Sequence, residues 1–74
     1  MTPQQTKELG KKLKELRVKK GLSAAQVAEK MGVGYKAPRI YNIESGLKPV
    51  GFKMAESYAA ACDYSLQINF VEKN

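Results

Sequence analysis

Residues 23–46 read SAAQVAEKMGVGYKAPRIYNIESG, from Ser23 to Gly46. Ser23 stands three residues before Gln26, the spacing of a capping box at a helix start. Val27, Ala28 and Met31 then supply a short apolar face, and Gly32 ends the pattern, so the spacing predicts a helix from Ser23 to Met31. Ala24, Ala25 and Ala28 are small enough to let a second helix approach closely. The segment Gly32-Val33-Gly34-Tyr35-Lys36 reads as a turn with two flexible positions. Pro38 fits the first turn of a helix but not its interior. Ile40 and Ile43 give one apolar face at a spacing of three, and Ser45-Gly46 is a stop, which predicts a helix from Ala37 to Ser45.

Helical periodicity continues on both sides. Thr2-Pro3-Gln4-Gln5 repeats the capping pattern, with proline at the first helical position. Leu9, Leu13 and Leu16 share one face, and Gly21 stops the helix, giving Pro3 to Lys20. After the loop Leu47-Lys48-Pro49-Val50-Gly51, the residues Phe52, Ala55, Tyr58, Ala59 and Cys62 recur at three and four, predicting a fourth helix from Gly51 to Cys62. Beyond Asp63 the period becomes two: Leu66, Ile68 and Phe70 alternate with Ser65, Gln67 and Asn69, a strand pattern with one apolar face. A lone strand satisfies neither its backbone groups nor that face, and no other segment reads as a strand. The expected partner is the same strand of a second copy. The fold expectation is therefore mainly α: a four-helix domain over residues 1–63, and a C-terminal dimerisation strand and tail over 64–74.

Composition narrows the function. At 74 residues the chain is one small domain, and such domains commonly add disulfides, a metal or a second subunit to a thin core. A single cysteine, Cys62, and no histidine leave no intrachain disulfide and no zinc site, so self-association is expected, with no metal and no cofactor. Cys62 and the methionines Met31 and Met54 read as core filling. Lys plus Arg number 13 against 7 Asp plus Glu, a net charge of +6, which favours a polyanionic partner over mere solubility. The longest apolar run, Tyr58 to Cys62, is far too short for a bilayer, so no membrane partner is expected. The first ten residues lack the apolar core of a signal peptide, and with one cysteine a cytoplasmic location is expected. Without histidine, paired carboxylates or a nucleophile beside a recognisable base, no enzymatic activity is expected.

Two short helices joined by a glycine-bearing turn in a basic four-helix domain suggest a helix-turn-helix. The residues that carry the suggestion further are Leu16-Arg17, Gly21-Leu22-Ser23, Val27-Ala28, Met31-Gly32-Val33, Ile40, Ile43-Glu44-Ser45-Gly46 and Lys48-Pro49. Together they resemble the lambda-repressor-like helix-turn-helix family, the XRE or Cro-repressor type, over about Leu9 to Leu66. The resemblance implies a transcriptional regulator that binds double-stranded DNA, usually a dimeric repressor on a near-palindromic operator.

It also implies roles residue by residue. Arg17 and Glu44 match an arginine and a glutamate that pair in the family, the arginine also approaching a phosphate; an exposed pair worth little is the alternative. Ser23 matches the cap of the second helix, whose amide end favours a phosphate. The base-reading positions fall on Ala37, Pro38, Arg39 and Asn42, with Ile40 and Ile43 turned inward. Arg39 has the donors for guanine O6 and N7, and Asn42 suits adenine N6 and N7; a phosphate contact by Arg39 is the alternative. Tyr41, Lys36, Lys48 and Lys53 are phosphate candidates. The chain departs from the family at Ala24, where a glutamine is common, and in a longer turn from Val33 to Ala37. The tail around Leu66, Ile68 and Phe70 resembles a strand that pairs between subunits in some antitoxins and Cro-like phage repressors, so a toxin is an alternative partner to DNA alone.

Overall fold

The computed structural model describes residues 2–68 and 70–73. Met1, Asn69 and Asn74, which the expected domain and tail include, lie outside the described residues. Four helices follow in order: α1 (Pro3–Lys19), α2 (Ala24–Met31), α3 (Ala37–Ser45) and α4 (Phe52–Ala61).

The local sequence accounts for most helix ends. At α1 the Thr2 hydroxyl accepts from the Gln5 amide at 3.2 Å, and the Thr2 amide donates to the Gln5 side chain at 2.8 Å. Ser23 and Gln26 repeat the arrangement at α2, at 3.1 and 2.7 Å. Each box satisfies two backbone donors that a helix start leaves open. Lys36 caps α3 without a side-chain hydrogen bond, and Pro38, having no N–H, leaves one donor fewer to satisfy. Lys20, Ser23, Gly51 and Cys62 are caps rather than helical residues, so three of the helices are one or two residues shorter than expected.

The core gathers Leu13, Val27, Ala28, Ile40, Ile43, Val50, Ala55, Tyr58 and Cys62. Leu9, Leu16, Met31 and Met54 pack against it while partly exposed. Two expectations need correction. Phe52, in the first turn of α4, is 48 % exposed, whereas Ala61, in its last turn and outside the expected face, is buried. Ala25 is exposed, so the close approach to α2 is made by Ala24 and Ala28.

The tightest contact joins α1 to the end of α3. Gly10, buried in α1, lies where a Cβ would sit 2.5 Å from the Glu44 carbonyl oxygen and 2.8 Å from that of Ile43. Reciprocally, Gly46 takes a left-handed φ of 67° to end α3, and a Cβ there would meet the Lys7 Cα at 2.5 Å. α3 thus rests on α1 and α2 through Ile40 and Ile43, and its other side is open.

No strand occurs among the described residues of the tail. Leu66 packs against the core, whereas Ile68 and Phe70 are exposed. No described helix is long and apolar enough to cross a membrane.

Helix propensity alone favours alanine over glycine inside a helix by about 1 kcal/mol. The backbone contact reverses that sign at position 10. Gly10→Ala should destabilise the domain by about 1–3 kcal/mol, as overpacking does, and Gly46→Ala by at least about 1–2 kcal/mol from its left-handed backbone. Urea unfolding measures both; a Gly10→Ala domain more stable than wild type would contradict the close approach.

Candidate nucleic-acid interface

The open side of α3 carries Pro38, Arg39, Tyr41 and Asn42, all exposed, with Ala37 half-buried at its start. Ile40 and Ile43 take the inward positions, at 0 % and 5 % exposure. That division follows from the 3.6-residue repeat: inward isoleucines at spacing three leave the residues between and before them outside.

The residues named from the sequence fall into three groups. Arg39, Asn42 and Lys48 line one groove of about 550 Å³, floored by Ile43, Val50 and Met54. The loop after α3 therefore brings Lys48 beside the outward face of that helix. Lys36 and Ser23 are exposed at the starts of α3 and α2. Lys53 is exposed in the first turn of α4 and does not line the groove. Leu66, Ile68 and Phe70 form the third group, in the tail.

Arg17 is placed differently from an arginine free in solvent. Its Nε donates to Glu44 at 2.7 Å and Nη2 to the other carboxylate oxygen at 3.0 Å. Nη1 donates to the Leu22 carbonyl at 3.1 Å. Three of the five guanidinium donors are thereby occupied. The side chains of the pair are only 11 % and 5 % exposed, so the contact is not the surface pair of little value. The hydrogen bond to Glu44 raises the Arg17 pKa further, against the opposing effect of burial. The Tyr41 ring lies 5.9 Å from the Arg17 guanidinium.

Tyr58 completes this cluster, whereas its spacing in the sequence placed it only on the apolar face of the fourth helix. Its hydroxyl donates to the same Glu44 carboxylate. One carboxylate at the end of α3 is thus held by α1 through Arg17 and by α4 through Tyr58. The available signal was a phenol on an otherwise alanine-rich apolar face, since a buried tyrosine hydroxyl requires a partner. A second residue missed was Tyr35, whose ring lies 5.2 Å from the Arg39 guanidinium. Nothing in the spacing flagged it, because a residue in a turn has no fixed facing.

Burial pushes the Tyr58 phenol well above its usual range, and the hydrogen bond to Glu44 adds to the effect. The unfolded chain loses this proton above about pH 10 while the folded chain keeps it. The contribution is therefore fully present below that pH, declines progressively above it, and is gone only when pH passes the higher value of the folded chain. Cys62 is shifted the same way by burial but is common to both proteins being compared. Tyr58→Phe should cost about 1.5–3 kcal/mol near neutral pH, as for a hydrogen bond to a charged group. Its stability should also fall less steeply than wild type's in alkaline urea titrations. Parallel curves for the two proteins across that range would contradict a buried phenol bonded to Glu44.

A sequence-family model described as helix-turn-helix matches residues 13–69, most of the chain. No curated protein and no solved structure gave a significant match. The matched span runs from the middle of α1 through the capped α2, the glycine turn, α3 and its arginine–glutamate clamp into the tail. The chain belongs to the XRE-type helix-turn-helix family of DNA-binding transcription regulators.

Proposed function

We propose that the protein is a sequence-specific repressor that binds double-stranded DNA as a homodimer, with α3 in the major groove of each half of a near-palindromic operator. The carrying observation is the division of α3: its isoleucines are sealed beneath it, while Pro38, Arg39 and Asn42 are exposed on a basic domain. A helix of this size fits a groove about 12 Å wide, and it can read base edges only through an outward polar face. In this reading Arg39 and Asn42 contact base edges, and Ala37 and Pro38 make apolar contacts beside them. Lys36, Lys48, Lys53, Ser23 and Tyr41 meet the phosphates that set the register. Arg17 approaches a phosphate with the donors that Glu44 and Leu22 leave unused.

The dimer is proposed from the tail. Ile68, Phe70 and Val71 are 59, 97 and 89 % exposed in one short segment of a small domain, an apolar surface that a partner would remove from water. Residues 64–74 then form an antiparallel two-stranded ribbon across the twofold axis, with Leu66, Ile68 and Phe70 facing the helices. The two copies of α3 would meet half-sites about 34 Å apart, one turn of duplex.

Three measurements test this. Duplex affinity should fall steeply with salt as phosphate contacts release counterions, and an affinity indifferent to salt would contradict it. Arg39→Ala should relax preference at one base pair per half-site, costing roughly 1–3 kcal/mol there. Lys48→Ala should weaken all duplexes alike and reduce the salt slope by about 1. In sedimentation, the full chain should be dimeric at micromolar concentration and a chain ended after Asp63 monomeric. A truncated chain that stays dimeric excludes the ribbon, and a full chain that stays monomeric leaves the exposed tail to a different protein, such as the toxin of an antitoxin pair.

A further inference from the structure

Arg39 and Arg17 meet aromatic rings in this fold, but they differ in how many donors they have left. Arg17 spends three donors on Glu44 and the Leu22 carbonyl. Among the described residues, the Arg39 side chain makes no hydrogen bond and no ion pair. It is nonetheless located, because its guanidinium carbon lies over the Tyr35 ring at 5.2 Å from the centroid. Tyr35 is itself anchored: it is half-buried against the core, and its amide donates to the Gly32 carbonyl at 3.3 Å. The turn that delivers it is built on two glycines at positive φ, 118° at Gly32 and 94° at Gly34, values that a side chain would resist.

We infer that Tyr35 is a positioning residue that holds Arg39 for bidentate recognition of a guanine in the major groove. The inference rests on α3 being the reading helix. A cation over an aromatic face is attracted to the ring quadrupole, and that contact uses none of the N–H donors. All five donors of Arg39 therefore remain for the ligand, on a side chain whose rotamer freedom is already restricted. A planar fork with two parallel donors matches O6 and N7 of guanine, whereas a phosphate contact tolerates many orientations. Fixing the fork thus favours base reading over phosphate contact. The longer turn between α2 and α3 acquires a purpose: it places an aromatic ring on the core beside the reading side chain.

The test uses the full chain and an operator duplex selected by it from a random pool. Each guanine is replaced in turn by 7-deazaguanine, which lacks the N7 acceptor. Wild type should lose about tenfold in affinity at one guanine per half-site, the scale of one good bidentate contact. Arg39→Ala should show no loss at that guanine, and Tyr35→Phe should behave as wild type. Tyr35→Leu, which fills the space without an aromatic face, should reduce the discrimination to below about threefold, a loss on the scale of an exposed cation–π contact. Its affinity for random-sequence duplex and its thermal midpoint should match wild type. Tyr35→Met makes the same comparison should the leucine variant fold poorly. A Tyr35→Leu protein that discriminates as wild type does overturns the role of Tyr35 and leaves the reading of α3 intact. An Arg39→Ala protein that keeps the tenfold loss at that guanine overturns Arg39 as its reader, and the inference with it.

Discussion

One carboxylate holds α3 in place. Glu44, at the end of α3, accepts two hydrogen bonds from Arg17 of α1 and one from Tyr58 of α4. Breaking such a buried pair by removing one partner typically costs about 3–5 kcal/mol, because the remaining charge is stranded. The contact forms only because the backbones come close, and they come close because Gly10 and Gly46 carry no side chain where α1 meets α3. A nine-residue helix has little stability of its own. Here it is fixed at its C-terminal end by this cluster and along its length by Ile40 and Ile43.

That arrangement leaves the outward side of α3 exposed. Everything needed for its stability lies on the inward face or at its last turn. At its start the Lys36 cap makes no side-chain hydrogen bond, and Pro38 has no N–H to satisfy. Polar side chains there can vary without disturbing the core, which is how one scaffold can present different reading residues. The charge pattern acts on a longer range: a surplus of six positive charges attracts a polyanion before any specific contact is made.

Much of this was legible in the sequence because it rests on local rules. Two capping boxes, three glycine stops and the apolar spacings, such as those of Leu9, Leu13, Ile40 and Ile43, each constrain only neighbouring residues, and they placed the four helices to within a residue or two. The inward and outward faces of α3 followed from the same periodicity. Contacts between distant residues were less accessible. The bond of Tyr58 to Glu44 spans fourteen residues, and the requirement for glycine at position 10 arises from a helix more than thirty residues away. Tyr35 was missed for another reason: in a turn with two positive-φ glycines, sequence spacing says nothing about direction. The tail shows the opposite case: a clear period of two in the sequence, with no strand among its described residues.

The central claim is that the outward face of α3 is the surface that meets DNA. Backbone amide resonances of the isotopically labelled protein, followed while an operator duplex is added, test it most directly. The account predicts the largest changes at residues 36–42 and at Lys48, with smaller ones at the start of α2 and little change at the middle of α1. Changes concentrated on α1 and α4, with the amides of Arg39 and Asn42 unmoved at saturation, would contradict it.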